Sequence, residues 1–527
     1  GGPEPAGMLP KGVSIRDAVL LGVAAALVVS ATVILCARRA SRRRTASGKI
    51  MSVVAEESRL LIPATVCLFV SSGLQMLIPF FGGQFIQLVS HPDGVSSHDL
   101  NNLMISIMVT SVLMSITTCI RGALYNLAGE RIICRLRKRV FGALLRQEIA
   151  FFDDQTSGAL VSRLTSDTAT LQAAASSYIS MGIRSLANLV MSVAILLVIS
   201  WKLTLTMLGV VPAVSILAAI MMRMSRKIGE RYQKETAEAG KVAGEALSSM
   251  RTVRAFRAGE ELMRRRYNKA ADETFKWGRQ NAVVYGAWSG IVGMLFLMAF
   301  TVVLWVGAGL VKAGEIQVNQ IVSFILYTLS LSTSIMMLGG MMPLIGSSIG
   351  ATTKIFEILE REPLMVDGAE DPGEACSGLV EFRGVSFSYA TRQDAKALDG
   401  VTFAAKPNQV VALVGKSGSG KSSCISLLLR LYDVSSGSIS IDGRDVKTLR
   451  RDYLRRHIAV VSQEPVLFAA SARENILFGA EDCTEEQMLN AARLANCHDF
   501  LSSFPDKYDT LVGERGIQLS GGEKQRV

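Results

Sequence analysis

The chain has 527 residues, enough for two or three domains, with 49% hydrophobic and 19% charged residues and a mean hydropathy of +0.33. This balance indicates a membrane protein over a large part of the length and excludes a wholly soluble one. A net charge of +11 would suggest nucleic acid as a partner of a soluble protein. Here the basic residues cluster beside apolar runs, so orientation in a membrane explains them better and no nucleic-acid partner is expected.

The first apolar segment, residues 18–37, is uninterrupted and about 20 residues long, which is enough to cross a bilayer. Five arginines follow between positions 38 and 44. We interpret the segment as an extra membrane helix that is retained, with Gly1 on the side opposite the soluble part of the chain. A signal or transit element is the alternative, although transit peptides are usually amphipathic and this run is not.

Six further apolar spans are predicted, at residues 60–89, 103–127, 183–200, 203–222, 287–311 and 318–345. Residues 201–202 are predicted to form a tight turn between the third and fourth spans. The segments 130–146 and 223–279 are helical in pattern and rich in Lys and Arg, which places both on the same side of the membrane as the soluble part. The eight cysteines show no paired short spacing, so we expect unpaired thiols, no disulfide framework and no zinc site.

A glycine-rich loop dominates the soluble part. It follows an apolar run at 410–414, predicted to be a buried strand, and precedes a predicted helix at 423–431. Such a loop directs backbone N–H groups at phosphates, at the positive end of the helix dipole. Lys421 can reach the β- and γ-phosphates of ATP, and the Ser422 hydroxyl can ligate Mg²⁺. The predicted ATP-binding residues here are Gly415, Lys416, Ser417, Gly418, Ser419, Gly420, Lys421, Ser422 and Ser423.

A second motif lies about a hundred residues further on, where Ser520, Gly521, Gly522 and Glu523 open a predicted helix and offer another anion site. Together with the phosphate loop, this motif resembles the signature of ATP-binding cassette (ABC) proteins. The resemblance implies that Tyr389 stacks on adenine and that Gln463 contacts Mg²⁺ and the attacking water. It also implies that Glu514 belongs to a loop that contacts the membrane domain.

The six spans with two long basic extensions resemble the type IV exporter fold of the same family. Residues 151–153 with Gly158, Arg163 and Asp167 resemble its first coupling loop, and Arg251 with Phe256 resembles its second. The resemblance implies that both loops lie on the nucleotide domain and transmit its motion to the membrane domain. The implied fold is an all-α transmembrane domain followed by an α/β phosphate-loop nucleotide-binding domain. The expected division is an N-terminal segment 1–49, a membrane domain 50–362, a linker 363–377 and a nucleotide-binding domain 378–527.

In this family two nucleotide domains face head to tail, so the resemblance implies that Ser520, Gly521 and Gly522 act on a partner's ATP. The partner would be a second half-transporter, identical or different. The sequences of several segments are most similar to the B subfamily. Within it, the mitochondrial half-transporters and the peptide transporters associated with antigen processing are the most similar branches, and we favour the mitochondrial inner-membrane members. The acidic metal ligand and the catalytic glutamate of the family follow the signature helix. Because the sequence ends at Val527, we expect the chain as written to bind nucleotide without turning it over well.

These residues are compatible with two functions. The first is an ATP-driven exporter, and the second is a regulatory membrane subunit of a heterodimer, which binds ATP but does not itself transport. The transported substrate is not readable from hydropathy. Arg121 interrupts the second span, and a charge at membrane depth normally faces protein or water. It is predicted either to line the transport cavity and favour anionic or carbonyl-bearing cargo, or to reach the interface from a shorter span.

Overall fold

The computed structural model describes residues 46–90, 97–209, 211–373, 376–480, 483–512 and 519–527. The predicted membrane helix at 18–37 and the predicted contact residue Glu514 lie outside these ranges. The described residues form two compact units. The first contains the described residues up to Leu145 together with Gly158–Arg361, and the second contains Arg146–Ser157 together with Glu362–Val527.

The first unit is helical. Three described helices precede the short segment Arg146–Ser157 of the second unit, and the others follow it. The helices of this part of the chain are α1 (Ala46–Glu56), α2 (Ser58–Val89), α3 (Ser97–Leu145), α4 (Ile149–Asp154, in the second unit), α5 (Ser157–Ile199), α6 (Trp201–Leu208), α7 (Val211–Ser248), α8 (Met250–Ala255), α9 (Gly259–Lys312) and α10 (Val318–Glu360).

Four helices in the described ranges are long and apolar enough to cross a membrane: α2, α3, α5 and α10. These helices contain the first, second, third and sixth predicted spans, except that Ser200, the last residue of the third span, lies outside α5. Helices α3 and α10 also extend well past the apolar residues of their spans. A shorter apolar stretch, Phe300–Lys312 at the end of α9, overlaps the fifth predicted span and ends one residue after it. Hydropathy therefore located these helices but underestimated their length, because their polar extensions carry no apolar signal.

The fourth predicted span and the turn before it differ from the prediction. Trp201 already lies in α6, and the chain reverses one residue earlier, at the extended Ser200. The Ser200 hydroxyl accepts from the backbone N–H of Leu203 and so caps α6. Helix α6 ends at Leu208, and α7 begins at Val211. The predicted continuous span 203–222 is thus divided between two helices.

The core of the first unit joins α2, α5, α6 and α10 through buried Met76, Leu196, Leu203, Phe324 and Tyr327. The Tyr327 hydroxyl donates to the backbone oxygen of Met76 over 2.7 Å, so this buried phenol has its partner inside the core. At one end of the unit, α1 is held to α3 by ion pairs of Arg135 with Glu56 and Glu57, at 2.9 and 2.6 Å.

The second unit contains a four-stranded antiparallel sheet in the order β2-β1-β3-β4. Its core is formed by the sheet and the helices packed on it, with Phe382 of β1 stacked on Phe403 of β2 at 4.4 Å between ring centroids. The elements are β1 (Val380–Phe387), β2 (Leu398–Ala405), α11 (Lys421–Leu428), β3 (Ser436–Ile441), β4 (Arg444–Asp445), α12 (Arg451–His457), α13 (Ala472–Ile476), α14 (Glu485–Leu494), α15 (His498–Ser502) and α16 (Gly521–Arg526).

The predicted buried strand at 410–414 is wrong for this structure. These residues form no strand, and Val410 and Val414 are 97% and 88% exposed. An apolar run is buried as a strand only when other strands flank it, and no strand in the described ranges pairs with it. The predicted helix 423–431 exists as α11, but it begins two residues earlier and ends three residues earlier.

Candidate nucleotide-binding site

The glycine-rich loop turns into helix α11 as the sequence predicted. Gly418 and Gly420 have φ values of +82° and +87°, a left-handed conformation that favours glycine. A Cβ on Gly420 would also lie 2.5 Å from the backbone oxygen of Ala397. Glycine is therefore required at position 420 for two reasons, the backbone conformation and the close approach of the chain before β2.

The ammonium group of Lys421 is held inside the loop. Its Nζ donates to the backbone oxygens of Gly415 and Lys416 over 2.9 and 2.8 Å, and to Ser419 Oγ over 3.3 Å. In the described part of the chain, no carboxylate pairs with this ammonium. A positive charge bonded only to neutral oxygens can exchange them for phosphate oxygens, which form stronger charge-assisted bonds. The neighbouring Ser422 is exposed at the first turn of α11, where a metal ligand is expected.

The predicted adenine residue, Tyr389, lies beside the same helix. Its hydroxyl is 2.9 Å from Ser423 Oγ. Its ring stands edge-on to Phe387 and Tyr432, with centroids 4.8 and 5.3 Å away. The hydrogen bond joins two predicted ATP-binding residues that are 34 positions apart in the sequence.

Gln463 and the predicted signature are connected by a side chain that the prediction did not single out. Gln525 Nε2 donates to the backbone oxygens of Ser462 and Gln463 over 3.4 and 3.3 Å. Gln463 itself is exposed, in a segment that forms neither helix nor strand. The structure therefore links Gln525, near the end of α16, with the loop of the predicted catalytic glutamine inside one chain.

Ser520 begins α16 through a capping box. Its Oγ accepts from Glu523 N over 3.3 Å, and its own N–H donates to Glu523 Oε2 over 2.7 Å. These bonds from Ser520 hold the pKa of the Glu523 carboxyl below its usual value. Glu523 is thus charged and occupied within its own helix turn, whereas Gly521 and Gly522 are exposed. The two glycines, rather than Glu523, present the open surface at this helix end.

Of the predicted coupling residues, Gly158, Arg163, Asp167, Arg251 and Phe256 lie in the first unit. Gly158, Arg163 and Asp167 lie in or before a π-helical turn of α5, Arg163–Asp167. Arg251 lies on α8, and Phe256, which ends that helix, is 68% exposed. An exposed phenylalanine next to an open groove lined by Glu245, Thr252 and Met263 is typical of a surface that contacts another protein part.

The segment Arg146–Ser157 belongs to the second unit, in line with the resemblance of residues 151–153 to a coupling loop that lies on the nucleotide domain. The Tyr432 hydroxyl donates to Asp153 Oδ2 over 2.8 Å, and the Leu364 N–H donates to Glu148 Oε2 over 3.2 Å. The resemblance implied that residues 151–153 lie on the nucleotide domain, but it did not identify Tyr432 or Leu364 as contacts of this segment. In the described ranges, no cluster of three His, Cys, Asp or Glu side chains could hold a metal, and all seven described cysteines are free. Cys36 lies outside those ranges.

The membrane helices together with the phosphate loop define a transporter class that binds nucleotide. The model of the ABC transporter transmembrane region matches residues 61–335, and the ABC transporter model matches residues 398–527. The chain belongs to the ABC transporter family and, by its relatives, to the B subfamily. It is a multi-pass integral membrane protein of this family.

Three curated relatives illustrate the similarity. ABC transporter B family member 1 of Dictyostelium discoideum is 37% identical over 91% of this chain and 52% of its own length. ATP-binding cassette sub-family B member 10, mitochondrial, of Mus musculus is 36% identical over 93% and 69%. The ABC-type oligopeptide transporter ABCB9 of Homo sapiens is 33% identical over 91% and 62%. The chain therefore spans about half to two thirds of the length of these relatives.

Proposed function

We propose that this chain acts as half of an ATP-driven exporter. The observation that carries the proposal is the phosphate loop, in which the Lys421 ammonium is bonded to neutral oxygens at the start of α11. MgATP would bind there, with its phosphates on Lys421 and the loop N–H groups, its Mg²⁺ on Ser422 and Gln463, and its adenine on Tyr389.

Pairing of two such chains completes the proposed site. Ser520, Gly521 and Gly522 would contact the ATP held by the partner's phosphate loop, so one chain alone would form two incomplete sites. Closing the two nucleotide domains around ATP would drive the membrane helices between two access states. The intact residue types of every motif present in the sequence support an exporter over a regulatory subunit that does not itself transport.

The proposed domain bounds are 50–362 for the membrane domain and 378–527 for the nucleotide domain, with 363–377 as the linker. An organelle membrane such as the mitochondrial inner membrane is the proposed location. This location is supported by the sequence similarity of several segments to mitochondrial members and by a relative that is itself named mitochondrial. Another relative is named an oligopeptide transporter, so the substrate class of this chain is not inherited from either.

Cross-linking between two tagged copies tests the paired site. One copy carries Ser417→Cys and the other Ser520→Cys, both at exposed positions. With MgATP, a disulfide should join the two differently tagged copies, whereas each variant paired with the unsubstituted chain should give only the background of the natural cysteines. A disulfide that forms only within a single chain carrying both substitutions would overturn the head-to-tail pairing.

A further inference from the structure

A line of polar side chains follows the part of α5 that contains the third predicted span. Ser180, Arg184, Asn188 and Ser192 are spaced four residues apart in the regular helix Ile179–Ile199, so they follow one side of it. We call these four residues the polar seam. Its serines and asparagine are buried, and its arginine is half-buried. Because such side chains are costly inside a membrane, they normally face protein, water or a ligand.

The polar seam packs against α2 and α3, and its hydrogen bonding is incomplete. Three of its residues bond to side chains of those helices, Ser180 with Arg121, Asn188 with Gln75 and Ser192 with Met76, over 2.8, 3.3 and 3.6 Å. Three buried atoms nevertheless have no partner in the described residues: Arg121 Nε, Asn188 Oδ1 and, one turn before Met76 on α2, Ser72 Oγ. Buried polar atoms are nearly always hydrogen-bonded, so this gap indicates that a polar molecule completes the seam.

One end of the polar seam carries positive charge without compensation. Arg184 lies close enough to Arg121 to repel it, and within the described ranges neither arginine forms an ion pair. Arg184 is the second residue of the predicted span 183–200, at the end that faces the basic extensions 130–146 and 223–279. An anion that enters the membrane domain from this side would meet both guanidinium groups and form charge-assisted hydrogen bonds with them.

One helical turn further along α5, the polar seam offers an acceptor. Four residues rise about 6 Å along an α-helix, which separates the positions of Arg184 and Asn188 along the axis. The Asn188 Nδ2 is occupied by Gln75, so the unpartnered Oδ1 requires an N–H or O–H donor. A cation would be repelled by the arginines, and a wholly apolar molecule would leave the buried polar atoms unpaired.

We propose that the polar seam binds the polar part of the transported molecule, and that this molecule is an organic anion with an N–H or O–H donor about 6 Å from its negative group. Arg121 and Arg184 bind the anion, and Asn188 Oδ1 accepts from the donor. The inference rests on the proposed function, because it names the substrate class of that exporter. The π-helical turn Ala174–Tyr178 lies directly before the seam, and such turns occur frequently at functional sites.

Binding of dansyl-glycylglycine to the full chain in phosphatidylcholine nanodiscs tests the proposal. This probe has a carboxylate, and its sulfonamide N–H lies two residues away, which is at most about 7 Å. Its carboxamide lacks the charge, and the analogue methylated at both nitrogens lacks the N–H donors. Dansyl fluorescence should show binding of the dipeptide without nucleotide. The carboxamide should bind about 10-fold more weakly, and the methylated analogue about 5-fold more weakly.

Substitutions in the polar seam assign the two contacts. Arg184→Gln should weaken binding of the dipeptide about 10-fold and leave binding of the carboxamide unchanged, whereas Arg184→Lys should keep the preference for the carboxylate. Asn188→Leu should abolish the preference for the dipeptide over its methylated analogue. Comparing two probes on one variant separates these contacts from folding, since misfolding weakens both alike. Arg279→Gln, at an exposed position of α9, is the matched control and should change neither ratio.

Equal binding of the carboxylate and the carboxamide, or an unchanged ratio between them in Arg184→Gln, would overturn the anion site. An unchanged preference over the methylated analogue in Asn188→Leu would overturn the donor contact. Displacement of the probe by phosphatidylglycerol in the nanodisc would assign the arginines to a lipid phosphate and overturn the substrate class. A chain that binds MgATP but not the probe would overturn this inference alone, whereas a chain that does not bind MgATP would overturn the proposed function and the inference with it.

Discussion

The amide Nε2 of Gln525 lies 3.3 Å from the backbone oxygen of Gln463, 62 residues earlier in the chain. This bond joins helix α16, whose first residues would contact a partner's ATP, to the loop of the glutamine that would contact the chain's own Mg²⁺. A shift of one element should therefore displace the other, which gives two ATP sites of a pair a physical route of communication through each chain.

Replacing Lys421 by alanine should abolish most of the ATP affinity. A hydrogen bond to a charged group is worth about 1.5–3 kcal/mol, so affinity should fall about 10- to 100-fold. The measurement is equilibrium binding of a fluorescent ATP analogue to the full chain. Lys406→Ala is the matched control, since it removes the same charge from an exposed side chain of the same unit outside the loop. Unchanged binding by the Lys421→Ala chain would exclude the phosphate loop as the ATP site.

In a full-length chain that carries the family's catalytic glutamate, Ser520→Ala should impair hydrolysis by the assembled dimer while ATP binding to the monomer stays nearly unchanged, because Ser520 would act on the partner's nucleotide. The substitution also removes a helix cap, at a cost of about 1 kcal/mol of stability. Ser471→Ala controls for that cost, since Ser471 and Glu474 form the same capping box at α13. Equal losses of hydrolysis in both variants, or loss of ATP binding by the Ser520→Ala monomer, would indicate a folding role.

Arg121 offers a test of the transport cavity. Its Nη1 donates to the buried Ser180 Oγ at 2.8 Å, and its buried Nε has no partner in the described residues. In a Cys119→Ser background, a cysteine replacing Arg121 should react with water-soluble thiol reagents without nucleotide and be shielded by substrate or trapped ATP. Labelling of the natural Cys119 in the unsubstituted chain is the comparison, because Cys119 is two residues away and hence on another helix face. Identical labelling in all three states would make Arg121 an interface anchor.

Asp442 should make the second unit sensitive to acid. Although burial raises its pKa, hydrogen bonds from Ser377 and from the Leu379 N–H outweigh burial and lower it from 3.8 to about 2. A lowered folded-state pKa contributes stability that is present above about pH 4 and is lost as the pH falls towards 2. Asp442→Asn should therefore lower the unfolding temperature at neutral pH and flatten its decline between pH 4 and 2, as followed by thermal unfolding. Parallel pH profiles of the two proteins would contradict this.

Much of the fold could be predicted because its signals are local. The spans in α2, α3, α5 and α10 are continuous apolar segments, and their length alone meets the thickness of a bilayer. The phosphate loop could be predicted with its helix, since Gly418 and Gly420 adopt backbone conformations that favour glycine. Residue type and position relative to the phosphate loop were also enough to select Tyr389, Gln463 and Ser520 as candidate site residues.

Contacts between residues that are distant in the sequence were decided by the tertiary structure alone. The apolar run 410–414 satisfies every local rule for a strand, yet it is exposed, because burial depends on neighbouring strands and not on the run itself. Asp153 lies nearly 280 residues before Tyr432, and no periodicity connects them. Hydropathy and spacing report what a segment can become, whereas only the folded chain determines which side chain meets a carboxylate, and that contact links Asp153 to the nucleotide unit.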